Sequence, residues 1–508
     1  MNLPPELEEL KEEVRSHAID AGLDFFDVVF EVLTHEQINQ IAALGGFPTR
    51  YPHWRFGMDY ERLSKSYTYG LSKIYEMVIN NDPCYAYLMR SNPACDQKLV
   101  MAHVYAHADF FKNNSYFVYT SRKAIDEIAN HGARIRSHAE RYGYETVESF
   151  LDSCLSLENL IDIHAPGIRR QDEPRRDAGL LEEEEEILKV ERIKSKDYMD
   201  RFVNPREFLE AKRRELEEER NRKKRVPEEP TRDVLQFLAD YAPLEKWQRD
   251  VLSIVREEVY YFAPQAMTKI MNEGWATYWH SKLMTEKLGT DTEIVDYADH
   301  HSGTVAMGAG PVNPYKLGLE LFRDIEERWN KGRHGPEWDR CDDYACRRLW
   351  DTHENAGREK IFEVRRVHSD VTFIDDFLTR DFCEDQKLFA YHFNRKSGMY
   401  EIASRQFDDV KRQLLRTLTN TGHPFVYVVD ANHGNRGELY LRHRYEGIEL
   451  KLDHARDTLR NIQALWTRPV HLETVLAGKG RLLTYDGSEH LEHEVELDVP
   501  EAQEEEES

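Results

Sequence analysis

The feature that most limits how this chain folds is an interruption. Between residues 166 and 230 the sequence runs through RRQDEPRRDAG, LEEEEEILKV and EFLEAKRRELEEERNRKKRVPEEP, dense in charge and poor in aromatics. Such a segment buries too little apolar surface to offset its own chain entropy. It reads as a linker with one or two solvated helices, partly disordered. The cores must be built from what lies on either side.

On the N-terminal side, from Leu7 to about Ile163, apolar residues recur at helical spacing. LSKIYEMVINNDPCYAYLM reads as two helices separated at Asn80, Asn81 and Pro83, and DQKLVMAHVYAHADFFKNN as a helix capped by Asp96. GGFPTRYPHWRFG (45–57) and DHHSGTVAMGAGPVNPYKLG (299–318) read as Gly/Pro-rich loops. Past the interruption, from Asp233 to Lys287, helical periodicity returns, with Pro264 breaking or starting a helix. From about Gly357 the pattern mixes: KIFEVRRV, PFVYVVD, GELYLRHR, VHLETVL and GRLLTYD read as strands, LDHARDTLRNIQALW as a helix, and ANHGNRG as a hairpin turn. The expected fold class is α+β, a mainly α-helical N-terminal body followed by a smaller C-terminal α+β domain. The expected organisation is 1–165 and 231–356 as two halves of a helical core, 166–230 as linker, 357–487 as the α+β domain, and 488–508 as an acidic disordered tail.

Bulk properties exclude some functions. The 508 residues carry 94 acidic against 69 basic side chains, a net charge of −25, which repels a phosphate backbone, so no nucleic-acid partner is expected. No run of about 18 apolar residues offers a membrane span. The first residues, MNLPPELEELKEEV, lack a basic and then apolar leader, so a cytoplasmic location is expected. The six cysteines form no C-x-x-C pair and read as reduced and mostly buried.

The chemistry-bearing residues cluster in two stretches. HVYAH puts His103 and His107 four apart, on one face of a helix at about 100° per residue. Two imidazoles so placed can share one Zn²⁺. NEGWATYWH puts Glu273 and His280 on one face of another apolar helix. A carboxylate there needs a partner, because an unpaired buried charge is costly. His, His and Glu together are the ligand set of thermolysin-type zinc enzymes, with His280 as a candidate fourth ligand. The bland alternative is packing: histidines in a core and a Glu–His or Glu–Arg pair between helices. One departure is chemical: Val104 occupies the position of the general base in H-E-x-x-H. If hydrolysis occurs, another group accepts the proton, and Asp109, Glu258 and His301 are the catalytic candidates. HENAGRE (353–359) has Gly357 where a second histidine belongs, and the chain has no Walker loop or G-x-S-x-G elbow.

FPTRYPHWRFGMDYERLSKSYTYGLSKIYEMVINNDPCYAYL, DQKLVMAHVYAHADFFKNN, NEGWATYWHSKLM, VNPYKLGLELFRDIEERWNKGRHG and NRGELYLRHRYEGIELKLDHARDTLRNIQALWTRPVHLET closely resemble the SpoVR family, the stage V sporulation protein R proteins. The resemblance covers most of the chain outside the interruption and the tail. Gly and Cys often stand in that family where this chain has Ala106 and Ala108. It implies a cytoplasmic protein linked to spore-cortex formation. In bacteria without spores it implies a stress or starvation role beside a PrkA-like serine kinase and its companion protein. Two readings follow: a metal-dependent hydrolase of gluzincin type but without its Glu base, acting on an amide bond; or a non-enzymatic regulatory or scaffold protein in the kinase module, with structural histidines.

Overall fold

The computed structural model describes residues 3–68, 76–168, 226–306 and 312–497, together with 205, 208, 210–214, 308 and 310. Most of the expected linker, and residues 498–508 of the expected tail, lie outside them. In chain order the helices are α1 (Pro5–Asp20), α2 (His35–Ala43), α3 (Trp54–Thr68), α4 (Ala94–Asn113), α5 (Ala124–Tyr142), α6 (Tyr144–Ser156), α7 (Val234–Tyr241), α8 (Lys246–Met267), α9 (Lys269–Leu283), α10 (Ile294–Thr304), α11 (Pro314–Asn330), α12 (Gly335–Asp339), α13 (Tyr344–Leu349), α14 (Gly357–Val367), α15 (Asp370–Phe377), α16 (Arg380–Asp385), α17 (Phe407–Leu418) and α18 (Leu452–Trp466). The strands are β1 (Val28–Leu33), β2 (Glu76–Ile79), β3 (Cys84–Met89), β4 (Ala390–Asn394), β5 (Met399–Ser404), β6 (Val426–His433), β7 (Glu438–His443), β8 (Val470–Leu476), β9 (Lys479–Tyr485) and β10 (His490–Glu494). The fold class is α+β. Two compact units form, one from 1–148 and 257–423, the other from 149–256 and 424–508.

The first unit is built around α4 and α9. Both are buried on nearly every side, as a helix inside a core is rather than one lying on it, and both carry polar side chains into that core. Val104, Tyr105 and Ala108 of α4 pack in one cluster with Met271, Trp275 and Trp279 of α9 and Leu321 and Phe322 of α11. A small sheet of order β1-β3-β2 joins this unit, β1 parallel and β2 antiparallel to β3. That sheet corrects the expectation of two helices in LSKIYEMVINNDPCYAYLM over 76–89, its first five residues lying outside the described ones. Short apolar runs such as CYAYLM fit a buried strand as well as a buried helix, and only length and flanking turns decide between them.

Other expectations are corrected locally. KIFEVRRV lies in α14, because Ile361 and Val364, three apart, share the buried face. DHHSGT lies in α10 rather than in a loop, and the 45–57 loop gives way to α3 at Trp54. Asp96 sits in the first turn of α4, whose cap position is Pro93. Pro264 is accommodated inside α8, one turn before its end.

The second unit carries a five-stranded sheet of order β10-β9-β8-β7-β6. Its strands pair antiparallel except β7 and β8, which run parallel and are joined through α18. Leu439, Leu441, Val470, Leu472 and Leu483 alternate onto one buried face. Tyr440, Arg442, His471, Glu473 and Thr484 alternate onto the other. His490–Glu494, placed in the tail by its acidity, pairs with β9 as an exposed, charged edge strand.

Candidate metal centre

His103 and His107 stand one turn apart on α4, their rings edge to face with centroids 4.5 Å apart. α9 runs against this face and brings Glu273 between them. Glu273 Oε2 is buried and lies 3.6 Å from His103 Nε2 and 3.5 Å from His107 Nε2. The donor atoms of His103, His107 and Glu273 all fall within 4.8 Å of one another. Both histidines are almost wholly buried.

The far nitrogens of the two rings are held from behind. His107 Nδ1 meets Asn272 Oδ1 at 2.9 Å. An amide oxygen only accepts, so Nδ1 carries a proton, and Nε2 is the nitrogen turned toward the Glu273 carboxylate, with a lone pair free for a metal whenever the ring is neutral. His103 Nδ1 meets His280 Nδ1 at 2.9 Å, and His280 Nε2 meets His301 Nδ1 at 3.4 Å. Phe111 lies parallel to the His107 ring and Tyr315, in the first turn of α11, to the His103 ring, with centroids 6.0 and 6.3 Å away.

Burial works against ionising Glu273, but N–H groups and positive charge on the protonated His103 and His107 rings outweigh it and hold the carboxyl well below the usual carboxylate range. Burial, then the neighbouring rings of His103 and His301, keeps His280 neutral far below the ordinary histidine range. Glu273 is therefore an anion in the metal-free centre, the state in which a carboxylate ligates, and a bound cation would take the place of the imidazole Nε2 protons.

The structure brings His103, His107 and Glu273 to one point. His280 stands behind His103, on its Nδ1 side, and His301 one step farther out. Asp109 lies elsewhere on α4: it accepts from Trp275 Nε1 at 2.8 Å and from Asp24 N at 2.9 Å, with Arg365 Nη1 at 3.4 Å. Glu258 is remote from the centre, in a buried cluster with Arg50, Tyr51 and His131. In RYPHW the cluster buries Tyr51 and pairs Arg50 with the Glu258 carboxylate, His53 is buried beside it, and Trp54 is half exposed at the start of α3. Val104 is fully buried in the core, so the flank of His103 where a base would sit is packed with apolar side chains. Sequence reasoning missed Asn272 and Tyr315. Asn272 had a local signal, its place beside Glu273 in NEGWA. Tyr315 had none, since only the packing of α11 puts it over His103.

Among known proteins, the family profile described as SpoVR like protein matches residues 2–423, and that described as SpoVR-like C-terminal domain matches residues 424–477. The "Uncharacterized protein YcgB" of Escherichia coli (strain K12) is 31% identical over 481 residues, covering 89% of this chain and 88% of that protein. No solved structure matches.

Proposed function

The chain belongs to the SpoVR family, and we propose that His103, His107 and Glu273 hold one transition-metal ion, zinc by donor type, in a three-ligand centre of metallohydrolase kind. One observation carries this reading. The contacts of Glu273 Oε2 with the two Nε2 atoms, 3.5 and 3.6 Å, are too long for a good hydrogen bond. Donors that share a tetrahedral ion at about 2.0–2.2 Å sit roughly 3.3–3.5 Å apart. Two imidazole Nε2 atoms and a carboxylate oxygen at that spacing are where the ligands of one cation would stand. Asn272 and His280 support the reading as outer partners that orient the two rings.

Bound there, the ion would supply Lewis-acid polarisation and a water of lowered pKa. The chain's residues would do the rest. Glu273 and the two imidazoles fix the position, and the apolar side chains of α4 and α9 exclude bulk water. With Val104 in place of a carboxylate, the polar groups flanking the rings are Asn272, His280 and Tyr315, with His301 behind His280. An amide is the substrate class this ligand set suits. The family's setting, spore-cortex formation or a stress response beside a PrkA-like kinase in the cytoplasm, belongs to the same proposal. No helix among the described residues is long and apolar enough to cross a membrane.

Elemental analysis of the purified full chain after zinc loading and dialysis tests the centre. One ion per chain is expected, lost in His107→Ala and in Glu273→Gln. A wild-type chain without metal, or variants that keep it, overturns the reading.

A further inference from the structure

α9 begins without a cap of its own. The Thr268 hydroxyl, at the cap position, turns back to the Pro264 carbonyl at 2.7 Å. The unsatisfied amides of the first turn are met from another helix. Ile270 N donates to Asp370 Oδ2 at 2.8 Å and Met271 N to Asp370 Oδ1 at 2.9 Å. Asp370 opens α15 and is 2% exposed. A second carboxylate grips the same helix farther along, where Trp275 Nε1 donates to Asp109 Oδ2 at 2.8 Å. Asp109 has no exposed surface and is itself anchored by Asp24 N and Arg365.

Glu273 lies between these two grips. Asp370 holds the backbone two and three residues before it, and Asp109 holds the side chain two residues after it. The second grip is also symmetric about the centre, since Asp109 is two residues past His107 as Trp275 is two past Glu273. A helix held at one point can still turn or slide about it. Held at both ends of a six-residue span, it presents Glu273 at one height and one rotation.

We propose that Asp370 and Asp109 are positioning residues of the metal centre, fixing α9 against α4 so that Glu273 meets both imidazoles at ligand spacing. This rests on the metal reading above, although the grip itself can be measured without metal.

The test uses the full chain with Asp370→Asn and Asp109→Asn, and with Asp233→Asn as control. Asp233 is equally buried and bonds Gln236 N at 2.8 Å and Arg256 at 2.9 Å, at the start of α7. Zinc affinity is read by competition with a chelator, and amide exchange of residues 269–276 is read on metal-free protein. The two positioning variants are expected to weaken zinc binding by about 10–100-fold and to speed exchange in that span. Asp233→Asn is expected to lower the urea midpoint and leave zinc affinity alone. Folded variants with wild-type zinc affinity overturn the proposal. If the wild type binds no zinc, the metal reading fails, and exchange in the metal-free protein decides: faster exchange upholds the grip, unchanged exchange overturns it. Should Asp109→Asn fail to fold, Trp275→Phe removes the indole donor to Asp109 together with part of the ring. It carries the same expectation provided that its loss of zinc affinity exceeds that of Phe322→Leu, which opens a cavity beside the same ring without touching Asp109. Should Asp370→Asn fail to fold, Asp370→Ser, which keeps one acceptor for the Ile270 and Met271 amides, replaces it.

Discussion

Gly274 and Gly318 meet backbone to backbone where α9 crosses α11: a β-carbon built on Gly274 would lie 2.4 Å from the Gly318 Cα. The reverse is equally closed, since a β-carbon on Gly318 would lie 2.1 Å from the Ile270 carbonyl oxygen. Backbone cannot swing aside as the end of a side chain can. The crossing sets how near α11 comes, and with it the seat of Tyr315 over His103. Gly274→Ala is therefore expected to destabilise the first unit by about 3 kcal/mol and to displace α11. Urea unfolding of wild type and variant measures the first effect. An unchanged midpoint would mean that the helices part without cost.

This crossing also marks where the sequence stopped being readable. NEGWATYWH and HVYAH declared themselves by residue type and spacing, and both fell on helices that face each other. The Gly in NEGWA carried no visible reason, because its partner lies 44 residues on in another helix. Asp370 was silent in the same way: nothing in SDVTF says that its carboxylate caps a helix a hundred residues earlier. Local periodicity found the long helices. It failed at CYAYLM and KIFEVRRV, where a short apolar run satisfies both periods and tertiary packing decides.

Restoring the residue that H-E-x-x-H requires is a direct test of the apolar flank. Val104 is fully buried among core side chains. A glutamate there would carry a carboxylate into that packing with no partner supplied. Val104→Glu is expected to cost about 3–5 kcal/mol rather than to create a base, read as a lowered urea midpoint at pH 7. A stable variant that gained zinc-dependent amidase activity would show that the flank opens to solvent and that the chain is a peptidase lacking one residue.

In the second unit the acid limit should trace partly to one histidine. His443 lies on β7 with its Nδ1 2.9 Å from Thr474 Oγ1, and burial lowers its pKa from 6.5 to about 4. The sign follows from the depressed value. Above pH 6.5 both folded and unfolded chains leave this ring neutral, and its contribution to the pH dependence is nil. As pH falls from 6.5 toward 4 the unfolded chain takes up a proton that the folded one refuses, so stability falls, and below about 4 the loss levels off. The full loss is at most about 3 kcal/mol. His443→Gln keeps a group able to bond Thr474 and removes the titration. Its stability should fall less steeply than wild type between pH 7 and pH 4, with parallel curves below. Equal slopes across that range, or an NMR titration placing His443 near 6.5, would show that water reaches the ring and that the acid sensitivity of this unit lies elsewhere.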